Sequence, residues 1–95
     1  MTIWRNSLID ARAGGLSAEY PCVVEIGDNL MTVAVVRGPQ VLIYSGHLGE
    51  VGQYTLLEHE GEAIVTLRYL EQQSIFRGVW RRRAQVEDWR IYLES

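Results

Sequence analysis

The 95-residue sequence contains no lysine, a single cysteine and only two prolines. All nine cationic side chains are arginine, which excludes Schiff-base chemistry at a lysine and the phosphate-binding lysine of a P-loop. The one cysteine, Cys22, cannot form a disulfide within the chain, so no oxidising compartment is implied. Because it lies among Pro21, Val23 and Val24, we predict a small buried apolar residue rather than a nucleophile.

Long hydrophobic runs are also missing. No apolar run approaches the length of a membrane span, and the first ten residues lack the continuous apolar segment of a signal peptide. We therefore expect a cytoplasmic protein without a membrane partner. The net charge of −3 disfavours binding to a phosphate backbone, so we expect no nucleic-acid partner. A hydrophobic content of 47% and a charged content of 22% indicate one globular domain, residues 1–95.

Motifs of common catalytic and cofactor sites are absent from the sequence. His47, Glu50 and His59 could approach one another, but their spacing matches no ligand motif, so we predict no metal site and no cofactor. Glu58 is predicted on the apolar face of a strand, opposite Ala63. A desolvated carboxylate there could act as a general acid, although exposure at a strand end is the simpler interpretation. We predict no catalytic residue, and an enzyme ranks third among the functions considered.

The segment before Pro21 is the least regular. Asn6 and Ser7 could cap a short helix over Leu8–Ala13, which Gly14–Gly15 would end. We favour this helix, and a strand from Ile3 to Ile9 is the alternative.

Beyond Pro21 the residues become β-branched and apolar, as is typical of strands. The segments Cys22–Gly27 and Leu30–Arg37 flank Asp28–Asn29, whose residue types suit a two-residue hairpin turn. Gln40–Ser45 then pairs back as a third strand, and the glycine-rich stretch Gly46–Gly52 connects to the rest of the chain. In this register one apolar face is formed by three sets of paired residues: Ile26 with Met31, Val24 with Val33, and Cys22 with Val35.

The stretch from Gln53 to Glu94 alternates between apolar and polar residues with a period of two, which predicts four antiparallel strands. Turns are predicted around Glu60–Gly61, Glu71–Gln72 and Ala84–Gln85. The resulting register places Leu57 opposite Ile64, Leu67 opposite Phe76, and Trp80 opposite Trp89 on the adjacent strand. A one-residue slip would bury arginines and expose tryptophans.

Arg81, Arg82 and Arg83 form the only basic cluster of the sequence. The predicted register sets Arg81 against Asp88 and Arg82 against Glu87. We therefore favour solvated ion pairs on a hairpin over an anion-binding site.

The fold prediction is an all-β antiparallel meander of about seven strands, forming a small barrel or a two-layer sandwich with a short N-terminal helix. The segments Phe76-Arg-Gly-Val-Trp80 and Trp89-Arg-Ile-Tyr-Leu93 resemble the closing hairpin of calycin-type barrels. This resemblance covers about twenty residues of a chain that is shorter than those barrels, and it assigns no functional residue.

The strands between Val23 and Ser45 are apolar on their second face as well, which distinguishes them from the C-terminal meander. The residues that carry this second face are Val23, Ala34, Val36, Val41 and Ile43. We predict a non-catalytic protein-interaction or assembly module that uses this face, as a homodimer or with another protein. Packing of the N-terminal helix over this face is the rival explanation, and it predicts a monomer.

An alternative function comes from the aromatic residues of the C-terminal meander. Tyr54, Phe76, Trp80 and Trp89 share one predicted face, with Gly78 between two of them. They could line a cavity that binds an apolar small molecule inside a barrel, although we favour a packed hydrophobic core.

Overall fold

A computed structural model describes all of residues 1–95 as one antiparallel meander of eight strands. Each strand pairs with the next along the chain, and the last pairs with the first, so the sheet closes into a barrel. The strands are β1 (Thr2–Ala13), β2 (Leu16–Gly27), β3 (Leu30–Arg37), β4 (Gln40–His47), β5 (Gln53–Glu58), β6 (Ile64–Leu70), β7 (Ile75–Arg82) and β8 (Gln85–Tyr92). The all-β antiparallel prediction is confirmed, and the barrel is the form adopted. The structure contains no helix with the length and hydropathy that crossing a membrane requires.

The predicted N-terminal helix is wrong, because residues 2–13 form strand β1. Gly14 and Gly15 have φ angles of 58° and 83°, so they form a two-residue hairpin turn rather than a helix end. β1 pairs with β2 on one side and with β8 on the other. A short helix would leave the edges of both neighbouring strands without hydrogen-bond partners, and isolated short helices are only marginally stable.

A bulge in β1 holds the C-terminal segment of the chain in place. The pairing of β1 with β2 shifts between Trp4 and Ser7, and the buried Ser7 hydroxyl accepts a hydrogen bond from the Glu94 backbone N–H at 3.0 Å. The Asn6 backbone N–H donates to the Glu94 carbonyl at 2.9 Å. The segment that follows β8 is therefore held against the bulge in β1.

The predicted β2–β3 register is confirmed at every pair, and Gln40–Ser45 pairs with β3 as predicted. Asp28 and Asn29 have φ angles of 52° and 62°, as a two-residue turn between β2 and β3 requires. The predicted three-stranded unit is longer than expected, since β2 begins at Leu16 and β4 continues to His47.

The register of the C-terminal meander is partly confirmed. Strands β5 and β6 pair as predicted. The two later hairpins are each shifted by two residues, so Leu67 lies opposite Gly78 rather than Phe76, and Trp89 lies opposite Gly78 rather than Trp80. The shift is even, so each side chain keeps its predicted face. Moving a turn by one residue along the chain changes the pairing by two.

The barrel interior holds a continuous hydrophobic core contributed by all eight strands. The hairpin turns β1–β2, β3–β4, β5–β6 and β7–β8 lie at one end of an up-and-down barrel, which we call the Gly14 end, and the remaining connections lie at the other, the Asn29 end. Two glycines permit close approach of neighbouring strands. A Cβ on Gly46 would overlap the Thr55 carbonyl oxygen, and one on Gly78 would overlap the Thr66 carbonyl oxygen.

Candidate functional site

The outer apolar patch consists of Val23, Ala34, Val36, Val41 and Ile43 on strands β2, β3 and β4. Val23, Ala34 and Ile43 lie side by side in one row across the three strands, and Val36 and Val41 form a second row next to it. The exposed fractions of the four larger residues range from 37% to 60%. The residues that alternate with them along the same strands face inward and are buried in the core. These strands are therefore apolar on both their inner and their outer face.

A groove of about 200 Å³ borders this patch, lined by residues 41–43 and 58–60. It arises because β4 continues toward the Gly14 end past the last residue of β5. The His59 backbone N–H donates to the Ile43 carbonyl at 2.8 Å, and no further backbone bond joins the two chain segments toward that end. Two more exposed apolar residues, Leu57 and Ile64, face each other across β5 and β6 on the same side of the barrel.

The four aromatic residues predicted as a ligand site are all buried in the core. Tyr54 and Phe76 make an edge-to-face contact with their ring centroids 6.0 Å apart. Trp89 makes a similar contact with Tyr44, at 5.5 Å. Trp80 is the one member of the four that borders a surface pocket. Binding of an enclosed apolar ligand by this set stays a prediction.

A concave pocket of about 510 Å³ opens at the Gly14 end, and we call it the mouth pocket. Its inner wall carries Tyr44 and Trp80, and its sides carry the charged residues Arg37, Glu58 and Glu87. All five lie on inward-facing positions, and the three charged residues lie within two residues of a strand end, where the barrel interior meets solvent.

Hydrogen bonds connect most of the polar groups of the mouth pocket. The Arg37 guanidinium donates to Glu87 Oε2 at 3.0 Å, and Trp89 Nε1–H donates to Glu87 Oε1 at 3.1 Å. The Arg37 guanidinium carbon also lies 4.5 Å from the centroid of the Tyr20 ring. Both oxygens of Glu87 are thus engaged, and the charge of Arg37 is neutralised within the wall.

The Trp80 Nε1–H donates to the Tyr44 hydroxyl oxygen at 3.2 Å. Burial raises the pKa of the Tyr44 phenol, so its hydroxyl stays protonated at neutral pH. Glu58, the register partner of Tyr44, accepts a hydrogen bond from the Ala63 backbone N–H at 3.2 Å through Oε1, and it makes no salt bridge.

The other residues singled out in the sequence are dispersed. His47 pairs with Leu30 at the Asn29 end, whereas His59 lies toward the Gly14 end and shares a 2.6 Å hydrogen bond with the Ser45 hydroxyl. The structure therefore does not bring the two histidines together. Cys22 is buried as predicted, and burial raises the pKa of its thiol to about 12, which keeps it protonated and unreactive at neutral pH.

The ion pairs predicted for the arginine cluster are wrong. Arg81 lies opposite Val86, and Arg82 lies opposite Gln85, because of the two-residue shift in the β7–β8 hairpin. Arg83 instead pairs with Glu62 at 3.0 Å, in a contact that is exposed on both sides.

Two members of the mouth pocket were missed by the sequence reasoning. Arg37 follows Val33 and Val35 on the inward face of β3, and Glu87 precedes Trp89 on the inward face of β8. Their positions in the period-two alternation could have identified both as inward-facing charges. That signal was overlooked because the predicted register paired Glu87 with Arg82.

Comparison of the chain with protein-family models, with curated proteins and with solved structures finds no match.

Proposed function

We propose that this protein is a non-catalytic assembly module that forms a two-fold dimer through the outer apolar patch. The observation that carries this proposal is the exposure of Val23, Val36, Val41 and Ile43 in two adjacent rows on three neighbouring strands. Contiguous apolar surface of this kind on a small protein is typical of an interaction site.

The rival explanation for this face loses its basis, since residues 2–13 are part of the barrel wall and no helix is available to cover the patch. A second copy of the chain is the occupant we favour, because a two-fold axis brings identical patches together and needs no further component. The groove beside Ile43 is a concave surface into which an apolar side chain of the second copy can insert.

The substitution Ile43→Glu tests this proposal. In a dimer interface it places a charge in a desolvated contact, and we expect a folded monomer, because Ile43 is part-exposed in the single chain and the glutamate is solvated once the subunits separate. Val86→Glu is the matched control. Val86 is a half-exposed apolar residue on the outward face of β8, on the far side of the barrel from β4.

Sedimentation equilibrium reports the mass, and circular dichroism reports the fold. We expect wild type and Val86→Glu to be dimers, and Ile43→Glu to be a monomer with unchanged circular dichroism. A monomeric wild type at high concentration would contradict the proposal, and so would an Ile43→Glu variant that remains dimeric.

A further inference from the structure

The mouth pocket contains one carboxylate that no cation of the chain neutralises. Of its two inward-facing carboxylates, Glu87 is paired with Arg37 and bonded to the Trp89 indole. Glu58 makes no salt bridge, and the bond from the Ala63 N–H engages only its Oε1. The second oxygen of Glu58 accepts no hydrogen bond from the chain.

The position of Glu58 is unusual for a carboxylate without a cation. Its neighbour across β5 and β6 is the buried Ala63, and its register partner on β4 is the buried Tyr44, so it stands on the inward face of the barrel. Partly desolvated carboxylates are stabilised by a cationic partner. Arg82, the other arginine at the pocket, is exposed at its rim and forms no ion pair.

A cation of the chain lies beside two aromatic rings next to the pocket. The Arg37 guanidinium carbon lies 4.5 Å from the centroid of the Tyr20 ring and 6.0 Å from that of Trp80, so a cation of the chain itself already occupies this aromatic surface. Leu42 adds apolar surface against which the body of a small molecule can pack.

We propose that the mouth pocket binds a small organic ammonium compound, whose charged nitrogen pairs with Glu58 and whose apolar body packs against Trp80 and Leu42. Two features carry this assignment together: a concave space of about 510 Å³ and an inward-facing carboxylate without a cation partner. This site lies at the Gly14 end of the barrel, and it shares Leu42 and Glu58 with the groove that borders the outer apolar patch.

Three probes of similar size and different charge test the proposal: benzylammonium, benzyl alcohol and benzoate. Titration calorimetry at neutral pH gives the affinities, and tryptophan fluorescence, to which Trp80 contributes, provides a second readout. Because charge-assisted hydrogen bonds are about twice as strong as neutral ones, we expect benzylammonium to bind at least about tenfold more tightly than the alcohol. Benzoate should bind most weakly.

Glu58→Gln removes the charge and keeps a side-chain oxygen for the Ala63 N–H, and Glu60→Gln is the control on the same hairpin. We expect Glu58→Gln to reduce benzylammonium affinity at least about tenfold, to the level of the alcohol, while Glu60→Gln leaves it unchanged.

The proposal is overturned if Glu58→Gln binds benzylammonium like wild type, or if the alcohol or benzoate binds wild type as tightly as the ammonium. Absence of saturable binding of benzylammonium up to about 10 mM would also overturn it. The comparison of the three probes on wild type decides the matter by itself should Glu58→Gln not fold.

Discussion

Two core tryptophans each donate a hydrogen bond near the Gly14 end, Trp80 to the Tyr44 hydroxyl and Trp89 to Glu87. Indole N–H groups inside a barrel need such partners, because an unpaired buried donor costs about 1–3 kcal/mol. No buried side-chain nitrogen or oxygen in the structure lacks a partner. The polar residues that enter the barrel at its mouth therefore complete the core as well as line a pocket.

At the scale of single residues, the alternation of apolar and polar positions predicted the face of most side chains correctly. Val24, Val65, Trp80 and Trp89 are all buried as expected. The contacts of charged residues could not be predicted in the same way. Arg37 and Glu87 are 50 residues apart and meet only because the barrel closes, so their 3.0 Å ion pair depends on the whole topology.

Cys22 makes the stability of the fold depend on pH in the alkaline range. The unfolded thiol loses its proton near pH 9, whereas burial raises the pKa of the folded thiol to about 12. Between these values the unfolded state binds fewer protons, so stability is complete below pH 9 and falls as the pH rises toward 12. At about 1.4 kcal/mol per tenfold difference in proton affinity, the loss is ~4 kcal/mol.

The measurement is urea unfolding of wild type and Cys22→Val between pH 8 and about pH 11. Other groups titrate in this range in both proteins, so the difference between the two isolates the thiol. We expect the free energy of unfolding to fall more steeply with pH in wild type. Parallel pH profiles would show that the thiol ionises without cost in the folded barrel.

At the scale of elements, the hairpins differ in how well their sequences specify the turn. Asp28–Asn29 is a pair of residues that tolerates positive φ between two strands of unambiguous pattern, and the β2–β3 register was predicted correctly. The segment Glu71–Ser74 carries no glycine or proline, and its residue of positive φ is Ser74, at 55°. In the last hairpin that role falls to Arg83, also at 55°. Serine and arginine rarely adopt positive φ, so the residue types did not indicate where these turns lie, and both turns were misplaced by one residue.

The predicted role of Gly78 also changes. The sequence placed this residue between two aromatic residues on one predicted face, and the structure shows that Trp89 is its cross-strand partner. The missing side chain additionally lets the backbone of β6 approach, because a Cβ would overlap the Thr66 carbonyl oxygen. Gly78 therefore sets the distance between two strands.

Gly78→Ala should destabilise the protein by at least about 2 kcal/mol, because a backbone carbonyl cannot move aside as the end of a flexible side chain can. Gly27→Ala is the control, since a Cβ there would meet Met1 at an ordinary distance of 3.5 Å. Chemical unfolding monitored by circular dichroism measures both. Equal stability of the two variants would mean that β6 and β7 separate without cost.

At the scale of the whole molecule, the sequence did not decide between a closed barrel and a two-layer sandwich. Seven strands could be identified from their patterns, and the choice between a barrel and a sandwich depended on the first thirteen residues. β1 supplies the eighth strand and pairs with β8, so the sheet has no free edge between its first and last strands. The bulge between Trp4 and Ser7 interrupts the alternation of apolar and polar residues in β1. The sequence pattern therefore did not identify this segment as the eighth strand.

Closure also determines which surfaces remain for binding. The inward faces of all eight strands are occupied by the core, so the molecule can meet partners only at its ends or on its outer wall. The mouth pocket is at one end, and the outer apolar patch is on the wall. The assembly proposal depends on the outer apolar patch. Whether the dimer interface lies at this patch can be tested separately from the mass of the dimer.

The most direct measurement is the concentration dependence of methyl chemical shifts in NMR spectra of isotope-labelled protein. On dilution the dimer should dissociate, and we predict that the methyl signals of Val23, Val36, Val41 and Ile43 shift together. The methyl signals of Val86, which is half-exposed on the far side of the barrel, should stay constant. Methyl shifts of the patch that do not change with concentration, or changes centred on Val86, would contradict the account.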